Sequence, residues 1–379
     1  MHKCSGKGPE SIGIVGIGNI GTGVYDQLRK HPQLKSVPVT AYGRDFGIII
    51  GEDIARDYKK WRNDQTEGKK TTFSEWMKLH EADYPDNMTS WNGNGAKHDV
   101  YFITTPSTDD TPPYLLDVIR DNPSGVSILA EKQTPKKHYR DMASSLEAGN
   151  TWISATVGGN SGLLPAYIQH VINSGGIPPE SYAFVNATTK VIADLVKNGC
   201  TIDEATEKVN KLKLTEPGPL DPMTPDGAIS NEMGDMIAKM VILGNVSKQM
   251  TGDSDFITPE NIQLYGDGVH EFIESCRTNP TDVKRIIAYL GTEDLDTLPI
   301  TPFAEYRGSE FDMAIGSMVV PGKLNVLLTI EGKNSGMVVK TRNKFKKIAD
   351  GAGAGVDATA ARMINDCNRY AKGETMFAQ

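Results

Sequence analysis

The sequence predicts an α/β protein in two parts: a doubly wound parallel sheet in the first half and a second, α+β domain built on an open mixed sheet. Three observations predict it. Short apolar runs, "SIGIVGIG", "VPVTAYG", "DVYFITTP", "VSILAEK" and "TWISATVGG", alternate with helical stretches and are bounded by turn residues, the pattern of parallel strands buried on both faces. Glycines at 16, 18 and 21 follow the first run directly. After about residue 157 a helix-bearing middle leads to "FAEYRGSEFDMAIGSMVV", "LNVLLTIEGK" and "GMVVKTR", expected as strands of a partly antiparallel sheet. At 379 residues the chain exceeds what one core organises, so two domains are expected: residues 1–156, completed by a C-terminal helix within 350–379, and residues 157–349.

The first turn, "GIGNIG", carries the spacing of a Rossmann-type dinucleotide site. Gly16 permits the tight turn, Gly18 lets backbone N–H groups approach a pyrophosphate, and Gly21 lets the helix pack on the strand. Asn19 and Ile20 lie between them, and the phosphates would rest on the helix N-terminus. The second run ends in "AYGRD", where Gly43 replaces the usual ribose-binding acid and Arg44 offers a guanidinium to a 2′-phosphate. NADP(H) is therefore favoured, with NAD(H) left open by Asp45. Thr105 and Pro106, ending the third run, and Gly355, in the tail, are further cofactor-binding candidates. The charged stretch over about 46–97, ending "WNGNGAKHD", reads as an insertion. Lys132 stands just past the fourth run, on the edge where doubly wound sheets bind ligands; a solvated loop charge is the alternative.

Residues 216–240, "EPGPLDPMTPDGAISNEMGDMIAKM", hold five carboxylates, four prolines and one lysine. Met233, Met236, Ile237, Met240 and Val241 recur at helical spacing, with Asn231 as the expected N-cap. Glu232, Asp235 and Lys239 share another stripe. It is either a solvated face, its Asp–Lys pair contributing roughly 0.2–0.5 kcal/mol, or the wall of a pocket. The tail "DGAGAGVDATAARMINDCNRYAKG" turns through glycines into an amphipathic helix starting near Ala358 or Thr359 and ending at Lys372-Gly373. A net charge of −8 and a pI near 5.5 argue against nucleic-acid or anionic-membrane partners. The first ten residues lack the apolar core of a signal peptide, and no run approaches the ~18 apolar residues of a membrane span, so a cytoplasmic location is expected. Cys4, Cys200, Cys276 and Cys367 have no paired spacing and read as reduced thiols.

Four segments, in order, resemble the homoserine dehydrogenases: "VGGNSGLLP" (157–165), "VNATTKVI" (185–192, with Ala187 for the family's glycine), the 216–240 window, and the Gly-rich tail with its Thr-Ala helix. The resemblance implies reduction of L-aspartate 4-semialdehyde to L-homoserine by a nicotinamide hydride, in the biosynthesis of threonine and methionine. It implies Lys239 as proton donor and Lys132 beside the reacting carbon. It further implies an amino-acid substrate lined by Glu216, Asp221 or Asp226, Asp235, Thr188 and Gly159, and a homodimer formed through the second domain. This chain departs from the family in three places. The loop between Glu216 and Lys239 is longer, Glu131 precedes Lys132 where asparagine is common, and Ser154 stands where members with a monovalent-cation site place glutamate. No metal is assigned, the backbone near Val157 and Gly159 being the remaining Na+ candidate, and no amino-acid-sensing domain is expected beyond residue 379. The Glu131-Lys132 pair is also similar to the Glu-Lys-Pro turn of sugar and cyclitol oxidoreductases, with Gln133 for the proline. A NADP-binding regulatory protein without turnover is the third reading.

Overall fold

The computed structural model describes residues 8–42, 47–49, 60–61, 64, 97–105, 114–121, 125–216, 218–353 and 355–377. The first group of elements is β1 (Ile12–Val15), α1 (Asn19–Lys30), β2 (Val39–Tyr42), β3 (Gly47–Ile49), β4 (Val100–Ile103), α2 (Tyr114–Asp121), β5 (Val126–Leu129), α3 (Gln133–Lys137), α4 (Tyr139–Glu147) and β6 (Thr151–Trp152). Its strands order as β3-β2-β1-β4-β5-β6. All pairs are parallel except β2–β3. "IGIV", "VYFI" and "VSIL" are buried at every position, as strands covered on both faces must be. From β1 the chain moves to one side for β2 and returns to the other for β4, so the strand order reverses beside β1. A crevice opens there at the carboxyl ends of β1 and β4, the usual ligand position of such sheets.

The second group comprises α5 (Leu163–Ser174), β7 (Ser181–Phe184), α6 (Ala187–Lys197), α7 (Ile202–Lys211), α8 (Pro225–Thr251), β8 (Gln263–Leu264), α9 (Asp267–Thr278), β9 (Arg285–Gly291), β10 (Thr301–Arg307), β11 (Asp312–Met318), β12 (Asn334–Thr341), β13 (Lys344–Ala352) and α10 (Val356–Ala371). These strands form a second sheet, β13-β12-β7-β9-β11-β10-β8, in which every pairing is antiparallel. Helix α8 packs among the buried residues of one face through Met236, Met240 and Val241. The other face buries Tyr182, Phe184, Ile287, Tyr289 and Met318.

Three expectations are corrected. "LNVLLTIEGK" is not a strand: residues Gly322–Thr329 form a 3-10 segment, whose three-residue period places Leu324 and Leu327 together against the second face. "TWISATVGG" pairs only through Thr151–Trp152 and then leaves the sheet in 3-10 turns; Gly158 at φ +81° makes that departure sterically free. Helix α8 begins six residues before Asn231, because Thr224 accepts from Gly227 N–H at 3.1 Å and Pro225 fits the first turn. Asn231 instead closes the preceding loop through both backbone groups of Leu220.

The last helix, α10, returns to the first sheet. Gln27 of α1 donates to the Asp357 carbonyl at 3.0 Å, Asn368 meets His31 at 3.3 Å, and the Arg369 guanidinium lies 4.8 Å from the Trp152 ring centroid. On its inner side Asp366 is fully buried, and burial pushes its carboxyl up to about 7 although Arg362 and Arg369 partly offset this. No helix among the described residues is long and apolar enough to cross a membrane.

Candidate active site

The stripe Glu232, Asp235, Lys239 on α8 faces inward, toward the end of β7 and the loop after β5. Lys239 Nζ donates to Asp235 Oδ2 at 2.6 Å and to the Val185 carbonyl at 2.7 Å. Lys132 Nζ approaches the other carboxylate oxygen of Asp235 at 2.9 Å. One carboxylate therefore bridges two ammonium groups contributed by different layers of the fold. Their side chains are 21% exposed for Lys132, 10% for Lys239 and 8% for Asp235, which overturns the solvated-face reading. Burial opposes ionisation of Asp235, yet the two lysines hold it well below the usual carboxylate range. The Asp235 charge, outweighing burial, in turn raises the Lys132 ammonium above its ordinary value.

A second carboxylate of the same stripe, which the sequence does not single out as a site residue, joins Asp235. Glu232, only 1% exposed, accepts from Asn186 Nδ2 at 2.7 Å and from the Glu216 backbone N–H at 2.7 Å. Asn186 is the N-cap of α6, its Oδ1 accepting from Thr189 N–H at 3.0 Å, and this turns its amide nitrogen toward Glu232. Burial pushes the Glu232 carboxyl up to about 7, with the two donors lowering it and the charges of Asp235 and Glu216 raising it. Oxygens of Glu216, Glu232 and Asp235 lie within 4.8 Å of one another. With Glu232 ionised, three carboxylates face two lysines, so the site holds one negative charge in surplus, suited to a cationic group. Asp235 is already compensated by two ammonium groups and Glu232 by two N–H donors, so the cluster makes a poor metal cage.

The other sequence-selected residues lie at varying distances from this core. Glu216 forms the exposed rim. Thr188 is buried and donates its hydroxyl to the Leu214 carbonyl at 2.7 Å, pinning the loop that leads to Glu216. Asp221 and Asp226 are exposed, outside the carboxylate cluster; Asp221 Oδ1 accepts from Met223 N–H at 2.9 Å, and Asp226 occupies the first turn of α8. Glu131 is buried and accepts from Gln133 and Thr134 N–H at 2.8 and 3.1 Å, so it caps α3 and presents no acid to the site. Val157 is buried, and a Cβ on Gly159 would stand 3.0 Å from the Gly353 carbonyl oxygen, placing that turn against the tail.

The glycine turn between β1 and α1 suits a dinucleotide. Gly16 sits at φ +89°, and a Cβ there would meet the Thr105 backbone nitrogen at 2.9 Å. A Cβ on Gly21 would strike the Gly16 carbonyl at 2.1 Å. Above Gly18 there is open space, with nothing within 4 Å of an added Cβ, and Gly18 caps α1 without a side chain. The first turn of α1 faces that space, the position an anion takes at a helix N-terminus. Thr105 follows β4 across the crevice, and Gly355, at φ +110°, opens α10 beside α1. Arg44 and Pro106 lie outside the described residues, as does most of the 46–97 insertion.

No family model matches the sequence, and no curated protein matches it. Solved structures do. A homoserine dehydrogenase from Thermoplasma acidophilum superposes with TM-score 0.60 at 15% identity, over 96% of this chain and 99% of that one. A hyperthermophilic archaeal homoserine dehydrogenase in complex with NADPH gives 0.60 at 15%, over 95% and 96%. A putative homoserine dehydrogenase from Archaeoglobus fulgidus gives 0.61 at 16%, over 95% and 98%. A Candida auris protein of unknown function gives 0.55 at 14%, over 96% and 98%. With its parallel sheet, its antiparallel seven-stranded sheet and its returning last helix, the chain has the fold of the homoserine dehydrogenases.

Proposed function

We propose that this protein is an oxidoreductase that reduces L-aspartate 4-semialdehyde to L-homoserine with a nicotinamide cofactor, NADPH in preference to NADH. The observation that carries the reading is the Lys132–Asp235–Lys239 relay beside a surplus of carboxylate. The bound nicotinamide supplies the hydride. Negative charge then grows on the aldehyde oxygen, and a fixed ammonium in a water-poor site stabilises it far better than water does. Lys239 commits two of its three protons to Asp235 and Val185, leaving one for the oxygen. Lys132 polarises the carbonyl from the cofactor side, and Asp235 holds Lys132 charged and orients both lysines. Glu216, joined by Glu232 where it is ionised, supplies the negative field that receives the substrate's ammonium group. The cofactor preference rests on Arg44 in the sequence.

With this reading goes a division of labour. Residues 1–156 with α10 hold the cofactor, and residues 157–349 hold the substrate and a second copy of the chain. The test is NADPH oxidation, followed at the nicotinamide absorbance, on addition of L-aspartate 4-semialdehyde. Turnover supports the proposal. NADPH binding without turnover would make this a regulatory protein, and turnover of polyols instead would place it with the sugar and cyclitol oxidoreductases.

A further inference from the structure

Away from the active site, a cavity of about 500 Å³ opens on the second sheet between the 3-10 segment Gly322–Thr329 and the β12–β13 hairpin. Its wall carries Lys323, Lys340, Arg342 and Lys344, with Val326 and Phe345: four cations together in a chain of net charge −8. Two are fixed from behind. Buried Glu180 accepts from Lys340 and, at 2.7 Å, from the Tyr182 hydroxyl, and it lies 3.6 Å from Lys323. Glu293, 3.7 Å from Lys340, is the second acid. Among the described residues Arg342 and Lys344 form no ion pair, so four cations face two acids.

The hairpin itself is strained at this point. Thr341 pairs with Lys344, leaving Arg342 and Asn343 as a two-residue turn, and Arg342 is held at φ +53°. Glycine or asparagine adopts that left-handed conformation at less cost than arginine. Lys213 shares the angle, but just beyond the end of α7, where a left-handed residue is an ordinary helix terminator. In a hairpin lining a cationic cavity, the strain marks a position where the guanidinium has a use.

We propose that this cavity binds a small phosphate monoester, its dianionic head against Arg342 and Lys344 and its apolar or aromatic remainder against Phe345 and Val326. A monoester carries about −1.5 to −2 charges at neutral pH, matching the two uncompensated cations, and its oxygens fit the guanidinium fork. Isothermal titration of the full chain with phenyl phosphate at low salt tests this, with inorganic phosphate as the head alone. Wild type should show saturable 1:1 binding, tighter for phenyl phosphate than for inorganic phosphate. Arg342→Gly keeps the turn, because glycine accepts the left-handed angle, so its Tm should stay within about 2 °C of wild type. Its affinity for phenyl phosphate should fall by about tenfold or more. Absence of saturable binding, equal affinity for the two probes, or unchanged affinity in Arg342→Gly would overturn the proposal. None of these readouts involves the aldehyde, so this proposal and the proposed reaction stand or fall separately.

Discussion

Two clusters in this molecule are built to the same plan. In each, one aspartate takes a lysine four residues away on its own helix and a second cation from another element. Asp194 of α6 receives Lys190 at 3.1 Å and Arg285 at 2.6 Å; Asp235 of α8 receives Lys239 at 2.6 Å and Lys132 at 2.9 Å. The surroundings differ. Lys190 also donates to the Gly332 carbonyl at 2.9 Å and Arg285 to the Lys190 carbonyl at 3.4 Å, which makes that cluster a brace between α6 and the second sheet. Around Asp235 stand two further carboxylates, one of them buried and shifted toward neutrality. An ion-paired triad is therefore no sign of a site by itself. What sets the Asp235 triad apart is the pair of further carboxylates beside it.

The comparison can be broken most sharply by truncating the corresponding lysines. Lys239→Ala should stay folded and bind NADPH while losing about 10²–10⁴-fold in kcat, and Lys132→Ala should lose comparably. Lys190→Ala should instead lower stability by about 1–3 kcal/mol, since it removes one of the two cations on Asp194 and leaves the Gly332 carbonyl without its donor, with kcat per folded molecule nearly unchanged. Steady-state kinetics beside urea denaturation separates the cases. A Lys239→Ala protein within a few-fold of wild type would make the Asp235 triad a second brace.

The buried carboxyl gives a pH test. Glu232 is pushed up to about 7 from an ordinary 4.5, so between those values the unfolded chain has released a proton that the folded chain retains. Stability contributed by the neutral acid is present below about 4.5 and lost as pH rises toward 7, at most about 3 kcal/mol in all. Asp366, also raised to about 7, acts in the same direction. Glu232→Gln mimics the protonated acid. Its urea midpoint should match wild type near pH 4.5 and exceed it at pH 8, with the Asp366 part of the slope remaining. Equal slopes in both proteins would mean that Glu232 is ionised throughout. The smallest effect expected is that of Glu216→Ala. Removing a rim carboxylate should raise KM for the aldehyde about tenfold, roughly 1.4 kcal/mol, and leave kcat within a few-fold; a fall in kcat alone would move Glu216 from binding to chemistry.

What could be read from the sequence is what is encoded locally. The glycine spacing, the buried runs of β1, β4 and β5, and the Asp235–Lys239 pair each lie within a few residues and have a single period. Lys132 is legible as a candidate because a strand end fixes the sheet edge at which the residues after it stand. Glu232 was visible on the same stripe, but its partners Asn186 and Glu216 come from segments that only tertiary folding brings together. The start of α8 was signalled by Thr224-Pro225, a cap and a first-turn proline, and was masked by the apolar spacing that begins later. "LNVLLTIEGK" could not be told from a strand, since an apolar run carries no period of its own. The short strand Gly47–Ile49 lies inside a stretch read as an insertion, and it pairs antiparallel with β2 at the edge of the sheet.

The return of α10 bears on the order in which this chain can acquire structure during synthesis. The first sheet is made from residues emerging first, yet α1 and Trp152 wait for residues 356–371 to cover them. A ribosome adding about 5–20 residues per second finishes that cover on the order of 10–40 s after Trp152 has been made. During that interval the flank of the first sheet beside α1 is exposed, while the intervening second sheet can already pair its strands. Pairing of β12 and β13, the strands just before α10, thus brings the distant ends of the first group of elements within reach of each other.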